Sequence, residues 1–184
     1  MTTLLSIITF ELTYHMRRVS TYVYFGVWCF LGVLLMSMRE GQENSVLNSP
    51  TMIANAHALL MAFGVIVLSG LCGMAVCRDF EEDTYQVFFT TPLKRRDYLL
   101  GRLIGSQIVA LLVFTGATLG MLLGTVVPWA DHLHMTPIRL WVYVQPYLMF
   151  MATTVIGAGS LFFALGALTR SVVFVYLQGI VFVA

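Results

Sequence analysis

The stretch "MIANAHALLMAFGVIVLSGLCGMAVCRDFEEDTYQVFFTTPLKRRDYLLGR", Met52 to Arg102, changes character abruptly at Cys77. Residues 52–76 contain no Asp, Glu, Lys or Arg. Residues 78–102 carry Arg78, Asp79, Glu81, Glu82, Asp83, Lys94, Arg95, Arg96, Asp97 and Arg102, over half the charge of a chain with ten basic and nine acidic residues. An apolar run of about 18 residues or more reads as a membrane-spanning helix. The charged segment after it therefore marks an exit from the hydrocarbon and, at "YLLGR", the approach to a second crossing.

The rest of the chain repeats this pattern. Its 184 residues are 59% hydrophobic and 10% charged, with a mean hydropathy of +0.85; soluble domains are nearer ~25% charged. Complete spans are expected at residues 19–38, 52–76, 98–127 and 140–168, the last interrupted by Pro146. A fifth begins at Val172 and reaches Ala184, a rise of about 20 Å against a hydrocarbon core of roughly 30 Å. Residues 1–184 are thus expected to be the N-terminal part of a transmembrane domain whose fifth span is incomplete. The resulting fold class is an all-α integral membrane protein, a polytopic helical bundle.

Charge orients it. The N-terminal side, the 78–102 loop and the 169–171 turn carry Arg17, Arg18, Arg78, Lys94, Arg95, Arg96, Arg102 and Arg170, whereas the opposite side has Arg39 and Arg139. Basic residues accumulate on the cytoplasmic side, so the N-terminus and the charged loop are expected to be cytoplasmic. The expected location is the cell membrane, multi-pass, in a bacterial inner membrane. A net charge of +1 offers nothing to nucleic acid.

Ahead of the first span, "LLSIITFELTYHMRRV" has helical periodicity. Leu4, Leu5, Ile8, Leu12, Met16 and Val19 share a face, and Ser6, Thr9, Thr13 and Arg17 form the opposite stripe, as in a helix lying at the membrane interface. Glu11 and His15, four apart, can pair with each other or with a neighbouring helix. In the third span Gly116, Gly120 and Gly124 form a small-residue ladder for close helix packing, continued outward by Gly101 and Gly105. Gly157, Gly159 and Gly166 read similarly. The spans hold no carboxylate for ion coupling. Asp131, His132 and His134 are a weak metal-ligand cluster, and Cys29, Cys72 and Cys77 read as small apolar-facing residues. No phosphate-loop, H-E-x-x-H or G-x-S-x-G pattern is present, so no catalytic, cofactor or metal residue is assigned.

Within the loop, Asp83 and Gln86 fit an N-cap with its N3 partner, opening a short helix over 84–90 that stops before Pro92. Tyr85, Val87, Phe88 and Phe89 are too apolar for a solvated connector and suit docking into a cleft. The order of acidic cluster, Thr84, amphipathic turn, Pro92, basic pair and "YLLGR" resembles the coupling-helix loop of type-2 ABC (ATP-binding cassette) transporter permeases. It departs from that pattern at Asp83, where the family often has Gly. The resemblance implies a permease subunit of an ATP-driven exporter, with an N-terminal elbow helix at 4–18 and a cytoplasmic coupling helix. Asp83, Thr84, Tyr85, Val87, Phe88, Phe89 and Pro92 would then contact a separate ABC ATPase, which binds ATP and Mg. A second permease unit, identical or different, and membrane lipid would be the other partners. The opening "FELTYHMRRVSTYVYF" is also similar to a permease branch fused to a zinc aminopeptidase-like domain, the alternative reading.

Overall fold

The computed structural model describes residues 2–38, 46–81 and 95–183. They are almost entirely helical, and no strand occurs among them. Helix α1 (Thr2–Arg17) is followed by α2 (Val19–Ser37), α3 (Pro50–Leu68), α4 (Met74–Glu81), α5 (Arg95–Gly124), α6 (Leu140–Pro146), α7 (Thr153–Thr169) and α8 (Val172–Val183). The stretches Val19–Ser37, Pro50–Cys77, Arg96–Gly124 and Leu140–Thr169 are long and apolar enough to cross a membrane. This is an all-α polytopic membrane protein, as the run lengths require.

Two of these spans contain a π-turn that composition did not reveal. One, at Ser69–Gly73, joins α3 to α4, and the other, at Tyr147–Ala152, joins α6 to α7. The second comes directly after Pro146, which lies inside the helix. Proline has no N–H to donate and crowds the preceding turn, so the helix relieves it by widening locally rather than breaking. The third span ends at Gly124 rather than 127: Thr125 and Val126 turn back onto the Leu122 and Leu123 carbonyls, ahead of Pro128. Arg170, between α7 and α8, has φ 49°, a left-handed residue of the kind that ends helices.

The chain divides into two compact units. The first comprises Met1–Arg18, Phe63–Ala110 and Thr154–Ala184. In it the π-turn at Ser69–Gly73 meets α8: a Cβ on Gly70 would lie 3.4 Å from the Tyr176 ring, and one on Gly73 2.6 Å from Val175. Gly179 packs onto Ser69, and Gly166 of α7 onto the Gly73 backbone. The Phe162 and Phe182 rings meet edge to face at 5.6 Å. Gln107 of α5 donates to the Ser160 hydroxyl at 2.9 Å. The packing expectation fails at Gly157, where an added Cβ would meet nothing within 4 Å among the described residues.

The second unit comprises Val19–Ala62 and Leu111–Thr153. Here α2 and α5 touch backbone to backbone. A Cβ on Gly116 would lie 2.6 Å from the Phe25 carbonyl oxygen, one on Gly124 2.8 Å from Met36 Cβ, and one on Gly120 would overlap the Cys29 carbonyl. Gly32 returns the contact against Ala117 and Met121. In lipid, helices gain little from hydrophobicity and associate through such close packing. Trp28 and Phe114 close the seam edge to face at 5.2 Å.

Gly120→Ala should therefore force α2 and α5 apart, at a cost of roughly 1–3 kcal/mol, seen as a lower thermal midpoint in detergent. Gly26→Ala, with open space around it, should leave the midpoint unchanged. Equal effects would remove the backbone contact as the cause.

Candidate functional site

The docking residues Asp83, Thr84, Tyr85, Val87, Phe88, Phe89 and Pro92 lie outside the described residues. What the structure describes is the base from which that loop departs and to which it returns. Helix α4 leads in and α5 leads out, and both are packed in the first unit. Ala75 and Val76 of α4 form a buried cluster with Phe163 of α7, against which Leu99 and Leu103 of α5 and Ala167 of α7 pack. The Cys77 thiol donates to the Gly166 carbonyl at 3.7 Å.

A second contact fixes the outgoing helix. Arg102 Nη1 donates to Glu11 Oε1 of α1 at 2.5 Å, with the two side chains 2% and 0% exposed. The guanidinium also lies 5.6 Å from the Phe10 ring centroid and 5.7 Å from that of Tyr98, within cation–π range. Glycines make room for α1: a Cβ on Gly101 would lie 2.8 Å from Ile7 Cγ2, and one on Gly105 2.6 Å from Glu11 Cβ. His15 Nε2 stands 3.9 Å from Glu11 Oε2, and the Arg18 guanidinium covers the Tyr14 ring at 4.4 Å. Of the two partners open to Glu11 from the sequence, the neighbouring helix makes the short contact.

This pairing also marks the face of α1 that packs against protein. Glu11 is the buried position, flanked by half-buried Leu4, Ile7, Ile8, Tyr14 and His15, while Leu5, Phe10, Met16 and Val19 are exposed. Leu5, Met16 and Val19 belong to the apolar face that the helical wheel gives to the membrane interface, and they stay exposed. A charged residue with a buried partner outranks several leucines in setting a helix's rotation.

His57, inside α3 and fully buried in the second unit, was not singled out by sequence. Its Nδ1 faces the Ile53 carbonyl at 2.9 Å and its Nε2 the Thr118 hydroxyl at 3.0 Å. A carbonyl can only accept, so Nδ1 carries a proton and donates to Ile53, and both ring nitrogens have a partner. Its signal was available: a histidine in an otherwise uncharged span needs a partner one helix away. In the same unit Asn48 donates to the Thr136 carbonyl at 2.6 Å and accepts from the Thr136 backbone and hydroxyl, each at 2.9 Å. His134 pairs with Asp131 at 2.6 Å, whereas His132 turns to the Val127 carbonyl. Among the described residues no three His, Cys, Asp or Glu side chains converge as metal ligands, and the three cysteines are free thiols.

The family model described as ABC-2 family transporter protein matches residues 33–183. The chain belongs to the ABC-2 transporter family. It is a membrane permease component of an ABC transporter, a class that works with an ABC ATPase. The ABC-2 match includes Arg102 and the charged loop but begins after α1 and Glu11. No curated protein and no solved structure matches the chain.

The His57–Thr118 contact offers a direct measurement. A double-mutant cycle with His57→Ala and Thr118→Val, read by unfolding in detergent micelles, should return a coupling of about 0.6–1.7 kcal/mol. A coupling of zero would mean the hydrogen bond adds nothing to α3–α5 packing.

Proposed function

We propose that the 78–102 loop of this ABC-2 permease docks a separate ATPase, and that the pair forms part of an exporter. The supporting observation is the packed base: α4 and α5, on either side of the loop, are held by Phe163, Ala167 and the Glu11–Arg102 pair. A push delivered between two such anchored helices is transmitted as rigid-body motion rather than absorbed locally. In this reading residues 84–90 form the coupling helix, with Tyr85, Val87, Phe88 and Phe89 in a groove of the ATPase. ATP and Mg are bound by that partner. The loop is cytoplasmic, as the basic residues on its side argue, and α1 is the elbow helix, its exposed Leu5, Phe10 and Met16 facing lipid. Two permease units, of one or two kinds, pair around the path.

Two experiments test this reading. A cysteine label at position 44 or 132 should react from outside intact cells, and one at Lys94 only after permeabilisation; labelling at Lys94 in intact cells removes the cytoplasmic assignment. Phe88→Ala and Phe89→Ala should each remove contact area worth roughly 1–3 kcal/mol, leaving an inserted protein that no longer retains or stimulates its ATPase. If the doubly substituted protein co-purifies with the ATPase and supports parental ATP turnover, the loop is not the docking element.

A further inference from the structure

The contact between α1 and α5 combines a smooth surface with a specific key. Gly101 and Gly105 present almost bare backbone to α1, with Ile7 and the stem of Glu11 lying directly on them. A surface of that kind fixes the distance between two helices but barely resists sliding, because glycine offers no side chain to interlock. The buried Glu11–Arg102 bond does resist it. A slide of one helical turn, about 5.4 Å, would leave a carboxylate and a guanidinium apart in apolar surroundings. A well-packed apolar pair would hold the helices as firmly, yet would accept several registers.

Arg102 is also placed where register matters. It stands two turns into α5, close to the point where the charged loop returns. We propose that Glu11 and Arg102 are positioning residues for energy coupling: they lock α1 to the start of α5, so that both move as one body when the ATPase displaces the loop. The elbow helix then acts as a splint on the outgoing arm of the loop. The proposal deepens the ATPase-docking reading and rests on it.

The test uses the permease co-purified with its ATPase in lipid nanodiscs, reading ATP turnover against the ATPase alone. Absence of any co-purifying ATPase with the parent chain would defeat the proposed ATPase docking itself and, with it, the lock. Given a parental complex, Glu11→Gln should stay assembled but lose the permease-dependent turnover by about five-fold or more. The exchange Glu11→Arg with Arg102→Glu should recover part of it. The decisive variant joins the helices covalently. Ile7→Cys with Gly101→Cys, in a chain whose native cysteines are replaced by Ala, places Cβ atoms 2.9 Å apart. A disulfide spans about 3.5–4.5 Å, so a small separation suffices to close it.

Oxidation of this pair should leave parental turnover intact and restore turnover to the Glu11→Gln complex, with reduction reversing the rescue. Parental turnover in unlinked Glu11→Gln would overturn the proposal. So would loss of turnover on cross-linking the parent, since α1 and α5 would then need to move apart. Should Glu11→Gln fail to assemble, the cross-linked parent still decides: active supports one body, inactive refutes it.

Discussion

An ion pair buried among apolar helices is an expensive device, and in a chain that is 10% charged its presence at Glu11 and Arg102 needs a physical reason. Removing a carboxylate and a guanidinium from water costs several kcal/mol per ion, and their attraction in low dielectric returns this only with good geometry. A separation of 2.5 Å with both side chains buried meets that condition. Aromatic faces at Phe10 and Tyr98 add to the cation's stabilisation. Once made, the pair dictates much of its unit. It sets the rotation of α1, requires glycine at positions 101 and 105 so that the helices come near enough, and pins the start of α5.

The same requirement for close approach recurs wherever helices in this protein meet. Lipid chains are as apolar as leucine, so the spans gain little from burying leucine against one another and gain more from backbone proximity and short polar contacts. Gly116, Gly120 and Gly124 meet Phe25, Cys29, Val33 and Met36 in this way. His57 with Thr118 and Gln107 with Ser160 supply the polar contacts. The π-turns serve the same end. A π-turn widens the helix by one residue per turn and re-aims the segment beyond it, and at Ser69–Gly73 it lays Gly70 and Gly73 against Tyr176 and Val175.

The spans were readable because bilayer thickness imposes a length on any apolar run, and the four long helices fall within a few residues of those runs. Family membership was readable from the arrangement of residues 79–102, and the match over 33–183 supports it. Other features depend on partners distant in sequence. The rotation of α1 is set by Arg102, which lies 91 residues from Glu11, and a helical wheel of α1 alone cannot contain that information. Arg102 itself reads as one more basic residue at a membrane boundary until Gly101 and Gly105 are seen as a seat for α1. Pro146 announced an irregularity, but the Ser69–Gly73 π-turn has no comparable breaker, since its glycines look like ordinary packing residues. The docking residues 83–92 lie outside the described part, and their role stays with the proposal.

Positive-inside charge alone accounts for Lys94, Arg95 and Arg96, but it does not account for Asp79, Glu81, Glu82 and Asp83, since acidic residues contribute little to orientation. Nor does it account for Tyr85, Val87, Phe88 and Phe89, which a solvated connector has no use for. A connector also needs no reinforced footing, yet α4 and α5 are packed through Phe163 and Ala167, and α5 is additionally tied to α1. Each surplus has one function in common. Under the proposed docking, acidic and apolar residues would give a partner something to grip, and the packed base would keep the grip from being lost in local deformation. A loop that only joined two spans would gain nothing from either, so their joint presence favours force transmission over simple connection.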